Sequence, residues 1–142
     1  MPARRAAVLL AGFVSQLWIG FAMAAPPTPS TSATQLFSQD LKDLPGKQVV
    51  MLTVESPPGA SSAPHRHDAH VFVYLLEGTL VMQVDGKEPV TLKPGDVFYE
   101  NPDDIHRRSV NPSSTRPAKF LVFFVKDIGK PNSTPVPAGE HP

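Results

Sequence analysis

The sequence predicts a small all-β domain of antiparallel strands, and three observations carry that prediction. Proline supplies 17 of the 142 residues, well above an average share of about 5%, which leaves little room for long helices. Along the middle of the chain, short runs of β-branched and aromatic residues alternate with turn dipeptides. No window of that region carries an apolar period of helical spacing.

In chain order, Arg4 and Arg5 precede an uncharged stretch from Ala6 to Ala25 that contains Ala22-Met23-Ala24 near its end. A charged start, an apolar middle and small residues at the end are the layout of a secretory signal peptide. Residues 1–24 are therefore expected to be removed and the mature chain to be secreted or periplasmic. The stretch is also long enough for an uncleaved anchor, but Ser15 and Gln16 interrupt it. Residues 25–34, APPTPSTSAT, read as a disordered Pro/Ser/Thr-rich leader, and residues 129–142, with four prolines, as a disordered tail. The domain proper is expected over residues 35–128.

Within it, Lys47 to Glu55 is β-branched and bounded by Pro45-Gly46 and Pro57-Pro58-Gly59. His70 to Leu76 and Thr79 to Val84 flank Glu77-Gly78, and Asp85-Gly86 is a hairpin signal before Glu88 to Leu92. The turn Lys93-Pro94-Gly95-Asp96 precedes Val97 to Glu100; Ile105 to Val110 and Ala118 to Lys126 complete the set. Seven or eight strands at this spacing predict a sandwich or barrel. Two of them, His70 to Leu76 and Phe120 to Val125, are apolar on both faces. A surface strand alternates, so either another part of the chain or a second subunit covers the outer face, and a homodimer is expected.

The charges exclude some classes of function. Thirteen basic and thirteen acidic residues give zero net charge, without the basic excess of a nucleic-acid binder. The absence of cysteine removes disulfides, thiolate metal sites and cysteine nucleophiles. No phosphate loop, nucleophilic-serine elbow or dinucleotide glycine pattern is present. No membrane partner is expected once the signal peptide is gone.

The chemistry lies in the histidines. His65 and His67 flank Arg66, and in an extended chain positions i and i+2 project from one face. Two imidazoles so placed are a natural chelate for a transition metal, although a pair of surface histidines in a polar loop has the same pattern.

The context of that pair resembles the cupin superfamily. Gly59, His65, His67, Val71 and Gly78 fall on the spacing of its first motif, G-x5-H-x-H-x3,4-E-x6-G, and Gly95 with His106 on that of its second, G-x5-P-x-G-x2-H-x3-N. The resemblance implies a single-domain jelly-roll barrel of two antiparallel sheets around a pocket. It also implies a metal held by the motif histidines, here His65, His67 and His106. The sequence departs from the pattern at Val71, where the family carries a glutamate ligand, and at Asn101 and Asp103, where it carries proline and glycine. Asn111 stands one place late. His70 is next to the vacant ligand place, but strand parity points it to the opposite face.

A three-histidine site for Fe, Mn, Zn, Ni or Cu is the resulting expectation, with a metal-free pocket as the alternative. Arg108 shares strand parity with His106 and is a candidate for a substrate carboxylate. Tyr99 is a candidate pocket phenol. Glu100, with Asp103 and Asp104, can supply a carboxylate or general base, or simply a solvated turn. His141 lies in the tail. Two functions fit: a mononuclear metal-dependent oxidoreductase, dioxygenase-like, acting on a small chelating acid, diketone or thiol; or a cupin that binds a small molecule without catalysis.

Overall fold

The computed structural model describes residues 29–137 and 139. The expected signal peptide, the first residues of the expected leader and His141 lie outside these. The described residues form β1 (Ser32–Asp40), β2 (Lys47–Ser56), β3 (His65–Arg66), β4 (Ala69–Glu77) and β5 (Leu80–Val84). They continue with β6 (Val90–Leu92), β7 (Val97–Glu100), β8 (His106–Val110), β9 (Ala118–Asp127) and β10 (Thr134–Pro135).

Two five-stranded sheets result. A long sheet has the order β1-β2-β9-β4-β7, and a short sheet has the order β10-β3-β8-β5-β6. The fold is all-β and of jelly-roll type, as expected, but the expected barrel is not closed. No strand is shared between the two sheets, because the chain crosses from one to the other through corners that lack ladder hydrogen bonds. One such corner is at Asp68. Asp68 has φ +47°, a left-handed conformation that aspartate tolerates better than most residues.

Both ends of the domain extend further than their composition suggests. β1 starts at Ser32, inside the expected leader, and pairs with β2 from Ser32↔Glu55 to Asp40↔Gln48. All nine of its residues are exposed, so no buried face marks it in the sequence. It forms because the main chain of β2 needs a partner along its edge. Likewise β10, inside the expected tail, pairs with β3 through Thr134↔Arg66 and Pro135↔His65.

The core lies between the sheets. β4 alternates strictly, with Val71, Val73 and Leu75 buried and Phe72, Tyr74 and Leu76 exposed. Phe120, Val122 and Phe124 of β9 and Val50 and Leu52 of β2 extend the same face, and Leu80, Met82 and Leu92 meet them from the short sheet. Each such side chain contributes roughly 1.5–3 kcal/mol when fully buried. The outer face of the long sheet keeps Phe72, Tyr74 and Leu76 at 36–42% exposure. Asn111 fastens the end of β8's exit loop: fully buried, its Nδ2 donates to the carbonyls of Ser56, Pro57 and Arg116 at 2.9, 3.1 and 2.9 Å.

Candidate metal centre

His65 lies on β3, directly paired with His106 of β8. His67 follows β3 at the corner, immediately before Asp68 turns the chain into β4. This corner is why the two histidines converge: the first is fixed by the short sheet and the second is swung toward the long one. Their Nε2 atoms are 3.2 Å apart. The ring centroids of His65 and His106 are 4.9 Å apart, and those of His67 and His106 6.0 Å. One ring nitrogen from each of the three lies within 4.8 Å of the others, so this group could hold a metal ion.

Each ring also touches a main-chain carbonyl. His65 Nδ1 is 2.8 Å from the Ala63 oxygen, His67 Nδ1 is 2.6 Å from the Asn132 oxygen, and His106 Nε2 is 2.9 Å from the Arg108 oxygen. A carbonyl only accepts, so each of these nitrogens carries the proton and donates. In the neutral rings the lone pairs then sit on His65 Nε2, His67 Nε2 and His106 Nδ1, the three atoms that face one another. Outer carbonyls that fix the tautomer in this way are the usual support of metal-ligating histidines.

Glu100, the last residue of β7, enters the same space. It is 1% exposed. Its Oε1 lies 3.1 Å from His106 Nδ1 and its Oε2 3.8 Å from His67 Nε2. Neither carboxylate oxygen, nor His106 Nδ1, has a hydrogen-bond partner among the described residues. Three lone pairs and a carboxylate thus surround one point, a costly arrangement unless a cation or a proton shared between Glu100 and His106 sits there. Two ligands about 2.1 Å from one centre stand roughly 3.0–3.4 Å apart; the His65–His67 and His106–Glu100 spacings of 3.2 and 3.1 Å match this, and the wider His67–Glu100 spacing of 3.8 Å would have to close on an ion. Burial, above all, holds the pKa of His65 and His67 below the ordinary histidine value, opposed by the Ala63 and Asn132 carbonyls and by Glu100. A lowered pKa favours the neutral ring, the form that ligation requires.

The cavity around these groups has a volume of about 480 Å³. Leu52, Val73, Met82, Phe120 and Val122 supply much of its wall, and no lysine or arginine lines it among the described residues. Both terminal stretches of the described chain reach it: Thr31 and Ala33 on one side of the sequence, Asn132, Ser133 and Pro135 on the other.

The other sequence candidates lie elsewhere. Arg108 is exposed and does not line the cavity. Its parity with His106 is broken by a bulge, since Val84 pairs with His106 while the adjacent Gln83 pairs with Arg108. The extra residue re-aims the strand, and Ser109 reaches the cavity instead. Tyr99 faces outward, where its hydroxyl contacts His70 Nδ1 at 2.7 Å and Asn101 Oδ1 at 3.2 Å. His70 is on that outer face, as its parity requires. Asp104 closes a turn by accepting from the Asn101 main-chain N–H at 2.8 Å, and Asp103 is exposed. The Asn132 carbonyl had no signal in the sequence, because a main-chain acceptor carries no residue signature.

Two facing antiparallel sheets with a cavity between them define a jelly-roll protein whose three-histidine group could hold a metal ion. The cupin-domain family model matches residues 52–124, from β2 to β9. The chain belongs to that family. No curated protein matches the chain. Among solved structures it is similar to the DMSP lyase DddQ of Ruegeria pomeroyi DSS-3, with 25% identity and a TM-score of 0.55. That likeness covers 65% of this chain and 45% of the lyase, so the chain spans under half the lyase's length. A cupin domain from Bordetella pertussis Tohama I has 22% identity and a TM-score of 0.54, covering 72% of this chain and 99% of the other. An oxalate oxidase in complex with glycolate has 21% identity and a TM-score of 0.56, covering 75% and 61%. The last two likenesses concern the fold.

Proposed function

We propose that this cupin holds one divalent transition ion and acts on a small molecule that presents a single anionic chelating group on an apolar body. One observation carries the reading: three lone-pair nitrogens converge in a largely apolar cavity that, among the described residues, no lysine or arginine lines. A bound ion would be the cavity's cationic centre. It would act as Lewis acid and template, with positions left for substrate or dioxygen. Three neutral imidazoles and the Glu100 carboxylate beside them leave a divalent ion with a local charge of about +1. A mono-anion such as a diketone enolate, a thiolate or a simple carboxylate neutralises it. A dianion of the oxalate type leaves an uncompensated negative charge among Phe120, Val122 and Met82, which is unfavourable.

Elemental analysis of the purified protein, followed by titration of the metal-loaded form with a β-diketone and with oxalate, tests this. One transition ion per chain and a preference of about tenfold or more for the diketone are expected, the equivalent of roughly 1.4 kcal/mol. A chain that stays metal-free after reconstitution with Fe, Mn, Zn, Ni and Cu, yet binds an apolar ligand, overturns it in favour of a binding module without catalysis. We further propose that the chain is exported through its N-terminal signal and works as a homodimer mated through Phe72, Tyr74 and Leu76. The apolar start of the sequence supports the first and the exposed face of β4 the second.

A further inference from the structure

Val71 occupies the place at which the first motif carries its acidic ligand, and it is fully buried. Its cross-strand partner on β7 is Glu100. Directly opposed residues of an antiparallel pair share a face, with Cβ atoms about 4.5–5.5 Å apart. The two side chains therefore enter the cavity as neighbours, one strand apart, and the carboxylate ends 3.1 Å from His106 Nδ1 and 3.8 Å from His67 Nε2. We infer that Glu100 is the fourth ligand of the metal centre: the carboxylate has moved from β4 to β7 while keeping its place in space. The inference rests on the metal reading above.

Three features support it independently of the histidines. Glu100 is 1% exposed and neither of its oxygens accepts a hydrogen bond among the described residues. A buried carboxylate without donors is held only at considerable cost, and either a proton or a metal cation relieves it; the variants below separate the two. Among the described residues no lysine or arginine lines the cavity to supply a cationic group. The backbone is also braced: Asn101, next in the chain, is tied to Asp104 through both its main-chain N–H and its side-chain amide, at 2.8 and 3.2 Å. The resulting set of three nitrogens and one carboxylate oxygen suits Mn(II), Fe(II), Zn(II) or Ni(II) better than a soft ion. Adding a second carboxylate by Val71→Glu would crowd Glu100 with a like charge, whereas exchanging the pair would not.

The test compares the full chain with Glu100→Gln, Glu100→Val and the exchanged double variant Val71→Glu/Glu100→Val. Zn(II) affinity is measured by calorimetry, and the visible absorption of the Co(II)-loaded forms reports the ligand set. Both single variants should lose about tenfold or more in affinity and shift the Co(II) bands, as loss of a ligand requires. The exchanged variant should bind more tightly than Glu100→Val and regain bands close to the wild type. Circular dichroism identifies the folded variants, and Glu100→Gln, which keeps the side-chain shape, decides if Glu100→Val does not fold. Glu100→Gln with unchanged affinity and bands overturns the inference and leaves the three-histidine reading standing. A wild type that binds neither Zn(II) nor Co(II) overturns both.

Discussion

His67 Nδ1 donates to the main-chain carbonyl of Asn132 across 65 positions of sequence, at 2.6 Å. The segment that carries this acceptor also supplies β10, the outer neighbour of β3. A Pro/Ser/Thr-rich stretch outside the family match thus supports the candidate metal centre.

Deleting residues 131–142 removes that carbonyl and leaves β3 as an unpaired edge. Metal affinity should fall by about 10–100-fold, the usual effect of losing an outer partner of a ligating histidine. The main core contains no residue of this segment, so the truncated chain should still unfold cooperatively. Calorimetric titration with Zn(II) and a thermal melt, compared with the full chain, measure both effects. Unchanged affinity would mean that solvent replaces the carbonyl.

Acidification should destabilise the metal-free protein in a defined direction. Burial lowers the pKa of His65 and His67 in the folded state, so the unfolded chain takes up protons first. Their contribution to stability is complete above the ordinary histidine value of about 6.5. It declines as the pH falls from there, and stops declining below the lowered folded values. Denaturant midpoints measured from about pH 8 to about pH 5.5 should decrease along the series, and should flatten in His65→Ala and His67→Ala. A midpoint that rises on acidification contradicts this.

Asn111→Asp should be among the most damaging single substitutions outside the cavity. The native amide donates to three carbonyls, and its own oxygen accepts from the Ser113 N–H at 3.0 Å. An aspartate sets an acceptor against three acceptors in a fully buried place. A loss of about 2–4 kcal/mol follows, read from urea denaturation. A loss below about 1 kcal/mol would mean that the loop rearranges.

The proposed dimer should give about twice the chain mass in light scattering at micromolar concentration, since closed twofold pairs are the commonest assembly. Tyr74→Lys, on the exposed face of β4, should convert it to monomer without changing Zn(II) affinity. A wild type that runs as monomer overturns the proposal.

The seven longer strands and turns after Gly46 were legible because side-chain period and turn chemistry are local properties. The histidine trio was legible because two motif spacings fix it. What escaped depends on pairing between distant segments. β1 has no buried face, and β10 is a two-residue pairing with β3. Glu100 stood in plain view as one of three acids before His106, but only the Val71↔Glu100 register selects it from Asp103 and Asp104. Arg108 was misplaced by a single inserted residue, because strand parity persists only as far as the next bulge.

Thr31 and Ala33 at one end of the described chain, and Asn132, Ser133 and Pro135 at the other, line the same cavity. A segment joined directly before residue 29 or after residue 137 would therefore leave the described domain beside the cavity. A polyhistidine tag there would be a competing chelator held at high effective concentration, and would take part in any metal titration. The exposed hairpin at Gly86–Pro89 does not line the cavity, and a handle inserted there would purify the protein without tethering a second ligand set to the site.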